Sequence, residues 1–397
     1  MSRQPAILGG QPTFSPALAF ARPTMEDPQP ILQAIEATLD SGRITNGPLV
    51  RQLEERVAET FGVDHCVAVS SCTIGLVLLI QAVSPTGDVL MPSFTFSATA
   101  HAARWNNADI RFVDCHPKTW CLTPDQCSGS PGLIVGVHLS GVPCDVEGLE
   151  AVAGQTGASL IFDAAHGAGS QVTVDGSRRR VGSFGLAEVF SLTPTKVLSG
   201  AEGGLITTND TALAEHLRIA LQYGDPGTYD TRFAGLNARL SDVHAALALA
   251  SLDHLDERVG HRNEVAARYR TELDGVPGIE FQEVPDGSIS SYKDFSILID
   301  RRGFGAGRDA VSTALTREGV EHRAYYSPPV HRQHAYRDVA TPPLRVTDRL
   351  ASQVISLPIW SHLPLADVDR VAGAISDIHS HAAEIERTHS SVTDRPA

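Results

Sequence analysis

The stretch FSLTPTKVLSGAEGG, residues 190–204, decides how the rest of the chain is read. One lysine, Lys196, stands between a polar Ser-x-Thr-Pro-Thr run and a glycine-rich exit. On a loop a lysine is ordinarily a solvated charge. Here an apolar run of strand length enters the loop (AEVFSL, 187–192) and another leaves it (GLITTN, 204–209). Gly200, Gly203 and Gly204 let the backbone turn tightly between the two. A loop in place of a helix at this point allows an antiparallel member of the sheet.

Working outward, five more strand-length apolar runs precede these: HCVAVS (65–70), VLMPSF (89–94), DIRFVD (109–114), GLIVGVHL (132–139) and SLIFDA (159–164). Helix-like segments separate most of them, the pattern of an α/β unit with a mainly parallel sheet covered on both faces. Before the strands, DPQPILQAIEATLDSG reads as a helix capped by Asp27 and stopped by Gly42. PLVRQLEERVAETFG places Leu49, Leu53, Val57 and Phe61 on one helical face, with Gly62 as its stop. After the last strand comes a long helical stretch, LSDVHAALALASLDHLDERVGHRNEVAARYRTELDG, and then a smaller α+β unit whose clearest strand is YKDFSILI. The expected organisation is an arm at 1–25, a large domain at 26–258, a small C-terminal domain at 259–385 and a disordered polar tail at 386–397. No internal repeat is present.

The composition narrows the classes of partner. Against 32 basic residues stand 46 acidic ones, a net charge of −14. Such a surface repels phosphate backbones, and the single dense basic run, SRRR at 177–180, reads as a solvated turn, so no nucleic-acid partner is expected. No run approaches the ~18 apolar residues of a membrane span, and the N-terminus lacks a secretory pattern. Six cysteines without a C-x-x-C pair suit neither zinc nor a disulfide framework, and a cytoplasmic location is expected.

In parallel α/β sheets ligands bind beyond the carboxyl ends of the strands. Several polar groups fall there: Cys72 and Thr73 where AVSSCTIGL leaves a strand and enters a helix, Asp163 and His166 in DAAHG, and Ser191 ahead of Lys196. Phe94 and Phe96 follow another strand. Taken singly, these are a helix cap, a capping pair, a core aromatic and a surface charge. A metal site lacks a third ligand at a diagnostic spacing. Together they meet the needs of pyridoxal 5'-phosphate: a lysine to hold its aldehyde as a Schiff base, a carboxylate for its pyridine nitrogen, a helix start and hydroxyls for its phosphate, and an aromatic face for its ring. P-loop, H-E-x-x-H and G-x-S-x-G motifs are absent, and GFGAG at 303–307 is not a dinucleotide fingerprint.

These residues, with LDSGRITNGPLVRQLEERVAETFGV, MPSFTFSAT, VHLSGVPCD, DAAHGAGS, VGSFG, GLNARLSDVHAALAL and YYSPPVHRQHAY, resemble the DegT/StrS family of pyridoxal-phosphate-dependent sugar aminotransferases over roughly residues 26–380. The resemblance implies the aspartate-aminotransferase-like fold: a large domain with a mainly parallel seven-stranded sheet between helices, plus a smaller C-terminal α+β domain. It implies that Lys196 forms the Schiff base and shuttles the proton, that Asp163 pairs with the pyridine nitrogen, and that His166 sits near the ring's phenolic oxygen. Phe96 would stack on the ring, and Cys72, Thr73 and Ser191 would hold the phosphate. Asn237 matches a position reaching the neighbouring subunit's phosphate, which implies a homodimer with shared sites. The implied substrates are glutamate as donor and a nucleotide-linked keto sugar as acceptor. Arg43, Arg239, Arg323 and His331 are candidates for the diphosphate or the donor's carboxylates. The chain departs from the family at Cys72, often glycine, and in the residues just after His166. Relatives with histidine in place of the lysine dehydrate their substrates; the retained Lys196 favours transamination. The acceptor expected is dTDP-4-keto-6-deoxyglucose, aminated at carbon four. The alternatives are a 3-keto sugar, a GDP-keto sugar or a keto-cyclitol, or a non-catalytic pyridoxal-phosphate-binding regulatory protein on the same scaffold, which has no need for both Lys196 and Asp163.

Overall fold

Proline and glycine set the limits of the first two helices. In the computed structural model, which describes residues 3–24 and 27–393, helix α1 (Pro28–Ser41) opens with Asp27 accepting from the Gln29 N–H at 3.0 Å and ends at Gly42 with φ 69°. Helix α2 (Pro48–Phe61) stops at Gly62, φ 68°. Its buried stripe is Val50, Leu53, Val57 and Phe61. Leu49, expected in that stripe, is only partly buried at its edge.

Nine strands follow: β1 (His65–Val69), β2 (Val89–Pro92), β3 (Ile110–Val113), β4 (Leu133–Val137), β5 (Ser159–Asp163), β6 (Gln171–Val174), β7 (Ser177–Arg180), β8 (Ala187–Ser191) and β9 (Gly204–Thr208). Seven of them form one sheet in the order β1-β9-β8-β5-β4-β2-β3. β9 alone runs against its neighbours, antiparallel to both β8 and β1, as the helix-free lysine loop allows. Alternate side chains of each strand enter apolar layers on opposite faces: Val67 and Val69 on one, Cys66 and Ala68 on the other. Helices α3 (Cys72–Val83), α4 (Ser97–Trp105) and α6 (Thr211–Ala220) cover one face; α2, α5 (Val146–Thr156) and α7 (Asp242–Asp253) cover the other.

Three expectations need correction. SRRR is not a turn but strand β7 of an exposed hairpin with β6; the turn itself is Asp175-Gly176, both with positive φ. Two of its arginines are engaged within the chain, Arg180 with Asp256 and Arg179 with Ser183. The long helical stretch breaks at His254 into α7 and α8 (Leu255–Glu272). The break lets α7 pack on α1 and α2 while α8 turns to the C-terminal layer. The tail expected to be disordered from 386 is helical as far as Thr393, the end of helix α13 (Ala382–Thr393). Ile385 is fully buried, and Glu386 accepts from the Gly307 N–H and pairs with Arg301, so the segment is tied down. Residues 394–397 lie outside the described residues.

The C-terminal layer is an antiparallel sheet of β10 (Ile279–Phe281), β11 (Phe295–Ile299) and β12 (Val354–Leu357), with helices α9 (Arg301–Phe304), α10 (Arg308–Arg317), α11 (Arg345–Gln353) and α12 (Leu365–Ser380). The N-terminal segment is fastened to it. Phe14 enters its core, Leu18 bridges to Val320, and the buried Glu318 accepts from Arg3, the Ala6 N–H and the Thr13 N–H. No described helix is long and apolar enough to cross a membrane.

Candidate active site

The carboxyl ends of β4, β5 and β8 open into a cavity of about 290 Å³. Its lining includes Cys72, Thr73, Phe96, Asp163, His166, Ser191 and Lys196, so seven of the residues singled out from the sequence meet in one place.

At one wall, α3 begins. Ser71 caps it by accepting from the Ile74 N–H at 3.2 Å, and Gly75 N–H opens the helical ladder to the Ser71 carbonyl. The first-turn N–H groups of Cys72 and Thr73 have no intrahelical acceptor and border the cavity, an arrangement suited to an anion. Gly204 makes this approach possible. A Cβ there would lie 2.5 Å from the Cys72 nitrogen. Ser191 ends β8 beside Thr193, their hydroxyls 3.2 Å apart, and the lysine loop closes by Lys196 N–H to Thr193 and Gly200 N–H to Leu192.

Asp163 ends β5 and is buried. One oxygen accepts from the Thr99 hydroxyl at 2.7 Å, the other from the Ala165 N–H at 3.1 Å. Burial pushes its carboxyl upward, opposed by these two hydrogen bonds and by Lys196. Among the described residues no cation lies within ion-pairing distance of it, so a ligand bearing a protonated ring nitrogen would complete it. His166 accepts the Ser140 N–H on Nδ1 at 3.1 Å, which leaves its ring proton on Nε2. Burial, then Lys196 and Lys293, hold it neutral. The 3.9 Å approach of Asp294 to Nδ1 is therefore not an ion pair. Lys196 is pushed down to about 8, first by burial and then by Lys293. Phe96 stands 58% exposed at the mouth, an open apolar face.

Five candidates lie elsewhere. Arg43, Arg323 and Asn237 are exposed outside the lining, and Arg239 reaches Asn237 and the Tyr223 ring. Arg323 lies over Phe20. His331 is held between Ser93 at 2.7 Å and Asp348 at 3.2 Å. In this single chain none of the five borders the cavity. Conversely, Lys293, Tyr325 and Tyr326 line the cavity and were not singled out. Their traces in the sequence were a charged pair at the entry to an apolar strand, YKDFSILI, and a tyrosine pair before SPP.

The buried carboxylate, with no ion-paired cation among the described residues, the first-turn N–H groups, the open aromatic face and the depressed amine fit pyridoxal phosphate. Comparison with known proteins agrees. Residues 26–376 match the DegT/DnrJ/EryC1/StrS aminotransferase family. The chain is 33% identical over 352 residues to UDP-N-acetyl-3-dehydro-alpha-D-glucosamine 3-aminotransferase of Acidithiobacillus ferrooxidans, covering 87% of this chain and 92% of that one. It is 30% identical over 371 residues to the spore coat polysaccharide biosynthesis protein SpsC of Bacillus subtilis (strain 168), covering 87% and 94%. Its fold matches the crystal structure of DesI in the presence of its TDP-sugar product with a TM-score of 0.90 and 38% identity, covering 98% and 99%.

Proposed function

The chain belongs to the DegT/DnrJ/EryC1/StrS aminotransferase family, and from that premise we propose that it moves an amino group from glutamate to carbon four of dTDP-4-keto-6-deoxyglucose, giving the 4-amino-4,6-dideoxy sugar. It is a pyridoxal-phosphate-dependent sugar aminotransferase. The observation that carries the choice of carrier is the near full-length similarity to DesI, which was solved with a TDP-sugar product. Amination at carbon three is the second reading, since one relative is a 3-aminotransferase. His166 favours carbon four, because relatives acting at carbon three often carry glutamine there.

When bound, the cofactor supplies a carbonyl that carries the amino group and a ring that withdraws electrons. The chain's own residues do the rest. Lys196 Nζ, brought to about 8 by its surroundings, is neutral often enough near pH 8 to attack and to take up and return a proton. Asp163, oriented by Thr99, would keep a proton on the ring nitrogen. His166 offers its Nε2 proton, since Nδ1 is already an acceptor. The N–H groups of Cys72 and Thr73, with Ser191, would hold the phosphate, and Phe96 would offer its face to the ring.

A homodimer with shared sites is part of this reading. Asn237 lies outside its own chain's cavity, and Leu32, Leu39, Ile44, Tyr223 and Tyr229 form exposed apolar surface, both of which a second copy would use. Six unpaired buried cysteines suit the cytoplasm.

The test is a panel of nucleotide-linked keto sugars with glutamate, the product's regiochemistry being read by NMR. The expected product is a dTDP-sugar with its new amine on carbon four. A carbon-three amine, or turnover confined to UDP- or GDP-sugars, contradicts the assignment.

A further inference from the structure

The chain contains three lysines, 118, 196 and 293, and two of them line one cavity. Lys293 is only 6% exposed and its ammonium lies 2.7 Å from Asp294, itself 2% exposed. A buried ion pair is costly to keep, and replacing one with apolar side chains is often neutral or stabilising. A chain that otherwise relies on arginine has placed here a compact ammonium with three rotatable donors, suited to a small enclosed space.

The pair's position is fixed from behind. Arg262 donates to the carbonyls of Tyr292 and Lys293 and, through Nε, to Ser361. Ser291 donates to the His166 carbonyl at 2.6 Å, locking the segment against the loop that carries His166. The Asp294 oxygen not used by Lys293 lies 3.9 Å from His166 Nδ1, and the Tyr325 ring lies 5.4 Å from the Lys293 ammonium. Lys293 thus reaches the cavity from the C-terminal layer, beside His166, whereas the first-turn N–H groups of α3 come from the large sheet's side.

Resting on the aminotransferase reading, the two half-reactions make different demands. The sugar's reacting carbon is flanked by uncharged carbons, one bearing a hydroxyl and the other the methyl group and ring oxygen, while an amino-acid donor brings a carboxylate next to its reacting carbon. That carboxylate needs a fixed cation inside the cavity. Among the described lining residues of the chain itself, His166 is neutral, His138 is held between Glu188 and the Cys144 N–H, and Lys196 is committed to the cofactor, while the arginines singled out from the sequence lie outside this chain's own cavity. We propose that Lys293, steadied by Asp294, binds the carboxylate of the amino donor and so governs donor affinity.

The test uses the full-length, cofactor-loaded protein and two readouts. Calorimetry follows the binding of glutarate, a dicarboxylate that cannot donate an amine; absorbance follows the response to glutamate alone and, from the aminated form, to keto sugar alone. For Lys293→Met, glutarate and glutamate affinities should weaken about ten- to hundredfold. The donor loss should exceed the loss in keto-sugar affinity at least tenfold, and Lys293→Arg should recover part of it. The double variant Lys293→Met, Asp294→Asn, which leaves no unpaired buried charge, should show the same donor defect with a wild-type melting curve. Glutarate binding within threefold of wild type in either methionine variant overturns the proposal, as does a loss centred on the sugar. If the wild-type protein gives no response to glutamate, the choice of donor fails, while glutarate binding that depends on Lys293 still supports the carboxylate site.

Discussion

At the residue scale, Lys196 shows how a fold makes an amine reactive. In water a lysine near 10.5 is almost wholly protonated at neutral pH; here burial and the neighbouring Lys293 bring it down to about 8. The sign of the pH effect follows. Below about 8 the amine is charged and cannot attack, so capture of pyridoxal phosphate by the cofactor-free protein should slow about tenfold per unit as pH falls from 7 to 6 and level off above about 8.5. Stopped-flow absorbance measures this directly; a rate flat from pH 6 to 9 would contradict it. Lys196 and Asp163 were legible in the sequence because strand ends and glycines mark them. Lys293 was not, because a lysine at the entry to a strand gives no sign of whether the segment lies at the surface or folds over a site. Arg43 and Arg239 looked equally eligible on charge alone, which carries no information about reach.

At the scale of elements, the site depends on how closely β9 passes the start of α3. The strand pattern was readable because both faces of the sheet are apolar, so each strand is a short hydrophobic run bounded by turn residues. The reversal of β9 was open from the sequence, and its cause is the short lysine loop itself. Gly204 is where the two elements nearly touch. In Gly204→Ala the new methyl would meet the Cys72 nitrogen at 2.5 Å and the Ser71 carbonyl carbon at 2.7 Å, both backbone atoms that cannot swing aside. The helix start must then shift, with an expected stability loss of about 1–3 kcal/mol and a weakening of pyridoxal-phosphate affinity of about tenfold or more. Cofactor titration by absorbance checks this, and unchanged affinity would show that the N-terminal turn of α3 does not hold the phosphate. The helical residues 386–393 were missed for a related reason. A polar composition suggests disorder, but the helix is anchored by buried Ala382 and Ile385, by Glu386 against Gly307 and Arg301, and by His389 against Thr313.

At the scale of the whole molecule, the cavity of a single chain is open beside Phe96, and Asn237 stands outside it. If two chains complete each other's sites, mixing inactive variants should restore function. Lys196→Ala and Asn237→Asp proteins, each with little turnover, should regain about a quarter of wild-type activity once dissociated and reassociated together, because a hybrid has one intact site. No recovery, with hybrid formation verified by native mass spectrometry, would place Asn237 outside the shared site. The fold class was legible because one long run of motifs is spread over most of the chain; a homodimer could be proposed from the resemblance alone, since nothing in one sequence marks an exposed apolar side chain as facing a second copy. The most direct test of the whole account is to trap the cofactor where it is held. Borohydride reduction of the loaded protein, followed by peptide mapping, should place the pyridoxyl group on Lys196 at close to one per chain. A label on Lys118 or Lys293, or no label at all, would contradict it.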